Sequence, residues 1–227
     1  MIVTIDGPAG SGKSTAARKL AARLEIAYLD TGAMYRAIAH AALQRGVDLE
    51  DGDALAALGR HITLEVDCGP THTRVRVDGH DVTEAIRTMA VSAVTSNVAR
   101  CRAIRERMVE QQRRTGAALE SFVTEGRDQG SVVFPQADVK FVLDAALATR
   151  SQRRHREMLA DGEEVTIEQV TENLRRRDTV DAKQWDPLLA SNEAIVIDTS
   201  AMSLAQVVDR MLRCLSDRGF STPEDST

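Results

Sequence analysis

Aromatic residues are scarce in this chain: one Trp, two Tyr and four Phe among 227 residues. Its core must therefore be built from Leu, Val, Ile and Ala, and it has little with which to stack the bases of a nucleic-acid strand. Cysteine is rarer still. Cys68, Cys101 and Cys214 stand far apart with no CxxC pair, which argues against a disulfide framework and a structural zinc site and favours a reducing compartment. No apolar run is long enough to cross a bilayer. The start "MIVTIDG" has neither a basic leader nor a cleavage site, so no signal peptide is expected there. A net charge of −5 argues against a general nucleic-acid binder. The expectation is a cytoplasmic protein without a membrane or nucleic-acid partner.

What is present is a regular alternation of strand-like and helix-like segments. "MIVTID" is a short apolar run suited to a buried parallel strand. After a glycine-rich turn, Ala16, Ala17, Leu20, Ala21 and Leu24 repeat at helical spacing. "IAYLD" predicts a second strand and "GAMYRAIAHAALQRG" a helix. "ITLEV" and "TRVRV" alternate apolar with polar around "CGPTH", the pattern of an antiparallel hairpin with one wet face. A long helical region is expected from about Ser92 to Arg114, then strands at "SFVTEG", "VKFVLDA" and "AIVIDT". Thr166 with Gln169, and Ser203 with Gln206, have the spacing of capping boxes that open helices. "STPEDST" predicts a frayed tail. Such alternation indicates a parallel sheet with helices on both faces.

"GPAGSGKS" fits the phosphate-loop pattern G-x-x-x-x-G-K-[ST], through Gly7, Gly12, Lys13 and Ser14. Within the stretch Gly7, Pro8, Ala9, Gly10, Ser11, Gly12, Lys13, Ser14 and Thr15, backbone N–H groups face inward and the following helix adds its positive end. Lys13 is expected to reach the β- and γ-phosphates and the Ser14 hydroxyl to bind Mg²⁺. Nucleoside triphosphate binding follows. A GTPase would need an N-K-x-D segment, and none is present. In "FVTEGRD", Glu125 is followed by Gly126, Arg127 and Asp128, which suits a second-substrate site better than the paired acids of a motor ATPase.

Phosphoryl transfer between two anionic molecules is mainly positioning and charge neutralisation, for which the planar fork of arginine is suited. Arg36 follows the second strand, and Arg127 follows "SFVTE", the third outside the hairpin. Arg150, Arg153, Arg154 and Arg156 lie in "TRSQRRHR", and Arg175, Arg176 and Arg177 in "LRRRD". Most such residues in a basic run only solvate a helix face. Arg153, Arg154 and Arg177 are the candidates for the transferring group, because "RR" opens a segment interrupted by "DGEE" that suits a short lid.

"IDGPAGSGKST", "LDTGAMYR", "GHDVTEAIR", "EGRDQGSVVFP" and "RRRDTVD" together resemble, in order and over nearly the whole chain, the motifs of bacterial cytidylate kinases. The resemblance implies an α/β phosphate-loop NTPase fold, a five-stranded parallel sheet flanked by helices. It implies one nucleoside monophosphate kinase domain: core 1–59, 86–150 and 166–220, a monophosphate-binding insertion at about 60–85 and a lid at about 151–165. It also implies transfer from ATP, with Mg²⁺, to CMP or dCMP by a monomer. Carried onto matching positions, Arg36 and Arg127 hold the acceptor phosphate, Thr31 stands for a commoner Ser, and Tyr35 lines that pocket. Asp128 accepts from the cytosine amino group beside Ser96, and Arg105 donates to the ring's acceptors. Arg177 and Asp181 bind the ribose hydroxyls, with Arg177 also facing the phosphates. Arg153 and Arg154 close over the transferring group.

One segment departs from the family's pattern. In "DAKQWDPL", Ala182 replaces a Ser, Gln184 stands where a phosphate-binding Arg is expected, and Asp186 replaces another Ser. Weaker monophosphate binding or an altered nucleotide preference is the expectation. The other readings are a phosphate-loop kinase for another nucleotide or a small metabolite such as shikimate, and an ATP-dependent switch. A switch has no second anion for these arginines to neutralise.

Overall fold

β1 (Ile2–Asp6) is a buried strand, with Val3 and Ile5 fully enclosed. The structure, a computed structural model, describes residues 1–160, 162–190 and 193–221, apart from the side chains of 180–187 and 190. The expected tail at 221–227 falls outside them except for Ser221. Two compact units divide the chain, Met1–Ile26 with Val123–Thr227 and Ala27–Phe122.

In the first unit, β1 leads through the glycine-rich turn into α1 (Lys13–Leu24), whose Ala16, Ala17, Leu20 and Ala21 are buried as their spacing predicts. β6 (Phe122–Glu125) is followed by a π-helical turn at Gln129–Val133 and then β7 (Val139–Asp144). α6 (Leu147–Ala160), α7 (Ile167–Ala190), β8 (Ala194–Asp198) and α8 (Leu204–Ser216) complete it. β1 pairs parallel with β7, Val3 opposite Val139, and β7 pairs parallel with β8. The sheet has five strands in the order β2–β6–β1–β7–β8, where β2 is Ala27–Asp30. α1 packs on α8 and α6 on α7. Both capping boxes form: Thr166 and Gln169 exchange bonds at 2.9 and 3.3 Å, and Ser203 and Gln206 at 2.8 and 3.3 Å.

In the second unit, β2 runs into α2 (Thr31–Gln44), and α3 (Gly52–His61) precedes the antiparallel sheet of β3 (Leu64–Cys68), β4 (Thr73–Val77) and β5 (His80–Asp81). β4 is alternately buried and exposed, as "TRVRV" predicts. The long helical region expected from about Ser92 to Arg114 is helical and consists of two helices, α4 (Met89–Arg100) and α5 (Arg102–Ala117). They break at Cys101, which is extended at φ −67° and ψ 115°. No Pro or Gly marks that break. α4 packs on α2 while α5 packs on α3, and the two docking faces require the change of direction.

Candidate active site

Successive turns of the chain bring the carboxyl ends of β1 and β6 side by side. From β1 the chain proceeds toward the β2 edge of the sheet, and from β6 it crosses to β7 on the other side. Open α/β sheets bind ligands in the crevice outside such a reversal of strand order. The phosphate loop follows β1, and Gly126, Arg127 and Asp128 follow β6.

Gly7 begins the loop at φ 136°, where an added Cβ would lie 2.1 Å from the Leu143 carbonyl oxygen, so no other residue fits. Asp30, Asp51 and Ser203 cap α2, α3 and α8 with their side chains. α1 instead begins at Gly12, in the left-handed region at φ 90°, with no side-chain cap and no acidic residue in its first turn. Its first N–H groups keep their capacity for an anion. Pro8 is buried, Ala9 and Gly10 are half-buried, and Thr15 is exposed. The Ser11 hydroxyl is buried with no hydrogen-bond partner.

Lys13 is 5% exposed and donates from Nζ to the Pro8 carbonyl at 2.9 Å. Burial first, and then the Arg127 guanidinium, lower its pKa to about 7, with Glu125 and Asp6 opposing and Arg177 adding to the fall. Lys13, Arg127 and Arg177 thus share one electrostatic neighbourhood. The Ser14 hydroxyl donates to Glu125 Oε1 at 2.9 Å. Arg127 donates from Nη1 to the Gly126 carbonyl at 3.2 Å, and Arg127 and Asp128 are both half-buried.

Arg153 and Arg154 part company. Arg153 donates to Thr199 Oγ1 at 3.0 Å and to its carbonyl at 2.7 Å, whereas Arg154 pairs with Glu157 on its own helix at 3.3 Å. Thr199 is 1% exposed, and its Oγ1 lies 3.1 Å from the Ser11 carbonyl and 3.0 Å from that of Asp144. His155 Nε2 lies 2.9 Å from the Val165 carbonyl, tying α6 to the segment before α7. Arg177 is an exposed residue of α7. Asp181 and Gln184 lie further along that helix, and their side chains are outside the described residues.

Sequence reasoning left three residues of this region without a role. Asp6 is fully buried, with a pKa raised to about 6 by burial against the pull of the Gly130 and Gln129 N–H groups. Arg150, named only as one of a basic run, is 5% exposed and donates to the carbonyls of Ala145 and Ala9. Asp178 takes the rest of its guanidinium. "TR" and "RRRD" place Arg150 and Asp178 28 residues apart, a spacing that does not by itself pair them.

In the second unit, Asp30 caps α2 by accepting from the Ala33 N–H at 2.8 Å, and its other oxygen accepts from Arg36 at 3.0 Å. Thr31 is buried in the first turn, with Tyr35 and Arg36 half-buried a turn on. Ser96 is exposed on α4 and Arg105 half-buried on α5, helices that pack on each other.

The family model described as Cytidylate kinase matches residues 3–217. The chain belongs to the cytidylate kinase family. It is 42% identical over 217 residues to a cytidylate kinase of Geobacillus kaustophilus (strain HTA426), covering 95% of this chain and 96% of that one. To a cytidylate kinase of Bacillus pumilus (strain SAFR-032) it is 44% identical over 211 residues, covering 92% and 93%. It is also 42% identical to the bifunctional pantoate ligase/cytidylate kinase of Synechococcus sp. (strain JA-3-3Ab), where the match takes in 93% of this chain and 40% of the relative's length. A crystal structure of an uncharacterized protein from Eubacterium ventriosum ATCC 27560 shares the fold, with a TM-score of 0.50 at 14% identity and coverage of 95% and 98%. Family membership makes the chain an ATP-dependent phosphotransferase. Among the described residues no helix is long and apolar enough to cross a membrane.

Proposed function

We propose that the chain transfers the γ-phosphoryl group of ATP to CMP or dCMP, giving ADP and CDP or dCDP. The observation that carries this reading is the adjacency of a phosphate loop at the end of β1 and an Arg–Asp pair just past the end of β6. One end of this crevice suits a triphosphate, and the Arg–Asp pair suits a second, smaller anion bearing a hydrogen-bond donor. Lys13 and the loop N–H groups of Gly7 to Thr15 bind the donor phosphates. Arg127 and Arg36 hold the acceptor phosphate, while Thr31 and Tyr35 line its pocket. Asp128 with Ser96 accepts from the exocyclic amine of cytosine, and Arg105 donates to the ring. Cytosine presents a donor at N4 where uracil presents an acceptor, so a carboxylate there selects cytosine. Arg177 and Asp181 take the ribose, and Arg153, Arg154 and Arg177 neutralise the transferring group. For Arg153 and Arg154 this requires release from Thr199 and Glu157, a role suited to a lid at about 151–165 that moves as substrates bind.

The Ser14 hydroxyl and the Glu125 carboxylate beside it are hard oxygen donors, the set that suits Mg²⁺. Bound there with the nucleotide, Mg²⁺ would neutralise phosphate charge. The enzyme is a monomer of the cytoplasm in this reading.

A panel of acceptors with ATP and Mg²⁺, read by ADP release, tests it. CMP and dCMP should be phosphorylated far faster than UMP, AMP, GMP or shikimate. Slow ATP hydrolysis indifferent to every acceptor would instead support a nucleotide switch.

A further inference from the structure

Arg127 and Asp128 form a two-residue span fixed at both ends to the same strand. On the near side, the Gly126 N–H donates to the Ile5 carbonyl at 3.0 Å. On the far side, the Asp6 carboxylate accepts from the next two N–H groups, Gln129 to Oδ1 at 2.9 Å and Gly130 to Oδ2 at 2.8 Å. We infer that Asp6 is a positioning residue for acceptor recognition, holding the span that presents Arg127 and Asp128. The inference rests on the roles proposed above for those two residues.

The chemistry at Asp6 is more demanding than strand packing requires. A carboxylate enclosed in a core is costly unless its oxygens are hydrogen-bonded, and an apolar residue would fill the end of β1 without that cost. What a carboxylate offers is two acceptors in one plane, matched to two successive N–H groups that open a helical turn and have no carbonyl of their own turn to bond. The surroundings leave the turn no slack. A Cβ at Gly130 would lie 2.8 Å from Thr4 Oγ1 and 3.3 Å from Asp6 Oδ2, with the tip of Leu188 at 3.1 Å. The Gln129 side chain folds back over Gly126, where a Cβ would lie 2.8 Å from its Cγ, and its Oε1 accepts from Thr124 Oγ1 at 3.2 Å. Freed from Asp6, the span loses both bonds that fix its far side.

Asp6 also precedes Gly7, so an effect through the phosphate loop is the alternative, and it would weaken ATP first. The test is Asp6→Asn, which keeps the size and leaves one acceptor for two donors. KM for CMP should rise roughly 10-fold or more, with Kd for ATP changed less than about 2-fold. Amide exchange over 127–133 should quicken, with exchange in the 7–15 loop unchanged. Gly130→Ala strikes the same contact from the other side and should reproduce the pattern if Asp6→Asn does not fold. Thr4→Ala added to it removes the hydroxyl the new methyl meets, a hydroxyl with no hydrogen-bond partner, and should restore part of the loss. Unchanged exchange over 127–133 with unchanged KM for CMP, or a loss of ATP affinity equal to that of CMP, overturns the inference. Failure of the wild-type enzyme to phosphorylate CMP or dCMP overturns the functional reading instead, and the same split is then measured with the acceptor it does use.

Discussion

Arg150 grips Asp178 with both arms of its guanidinium, Nη1 to Oδ1 at 3.0 Å and Nη2 to Oδ2 at 2.6 Å. Its remaining donors reach the Ala145 carbonyl at 2.8 Å and the phosphate-loop Ala9 carbonyl at 3.2 Å. One side chain thereby ties the phosphate loop, the end of β7 and α7 together. Removing one partner of a buried pair leaves the other charge uncompensated. Arg150→Ala should lower unfolding free energy by about 2–3 kcal/mol, toward the low end of such losses because Asp178 remains 28% exposed. Arg150→Lys keeps the charge without the fork and should fall between. Urea unfolding measures both, and a loss below about 0.5 kcal/mol for the alanine variant would place the pair with ordinary surface contacts.

Lys13 gives ATP binding a proton signature. The unfolded chain holds this proton up to about 10.5 and the folded protein releases it near 7. Between those values the folded state binds fewer protons, so the group disfavours folding below pH 7, and the handicap fades as pH rises toward 10.5. Phosphates beside Nζ favour the charged form and raise its pKa again. Binding of ATP at pH 8 should take up nearly one proton and binding at pH 6 almost none, as read by calorimetry in buffers of different ionisation enthalpy. Lys13→Met should abolish the difference. Equal uptake by the wild type at both pH values would mean that Lys13 is charged throughout.

Glu125 and Ser14 meet from positions 111 residues apart, and the role proposed for Glu125 is that of a neighbour to Mg²⁺. Glu125→Gln should weaken the affinity of the ATP complex for divalent cation about 10-fold, the usual scale for a lost partner of a ligand. Manganese binding followed by electron paramagnetic resonance reads this without turnover. Unaltered affinity would leave Glu125 as only the hydrogen-bond partner of Ser14.

In the proposed base pocket, Asp128→Asn replaces a carboxylate with an amide that also donates toward N4 of cytosine. A fall of roughly 10-fold or more in kcat/KM for CMP is expected, equivalent to about 1–3 kcal/mol. Discrimination against UMP should fall with it. Kinetics identical to wild type would remove Asp128 from the base pocket.

Much of this enzyme is written in residues close together along the chain. The phosphate loop depends on glycines and a Lys–Ser pair within eight positions, and the helix starts at Thr166 and Ser203 on side chains three residues from their partners. Local bonds of that kind form wherever the segment is placed, so they are legible before any fold is known. The break at Cys101 is different, because "VARCRAIR" favours helix throughout and only docking on α2 and α3 divides it. Asp6 with Gln129 and Gly130, Arg150 with Asp178, and Arg153 with Thr199 likewise pair across 28 to 124 residues. Each of those carboxylates and arginines is compatible by itself with a solvated surface. Parallel strand pairing and helix packing determine which of them become buried, and burial gives those pairings their energy.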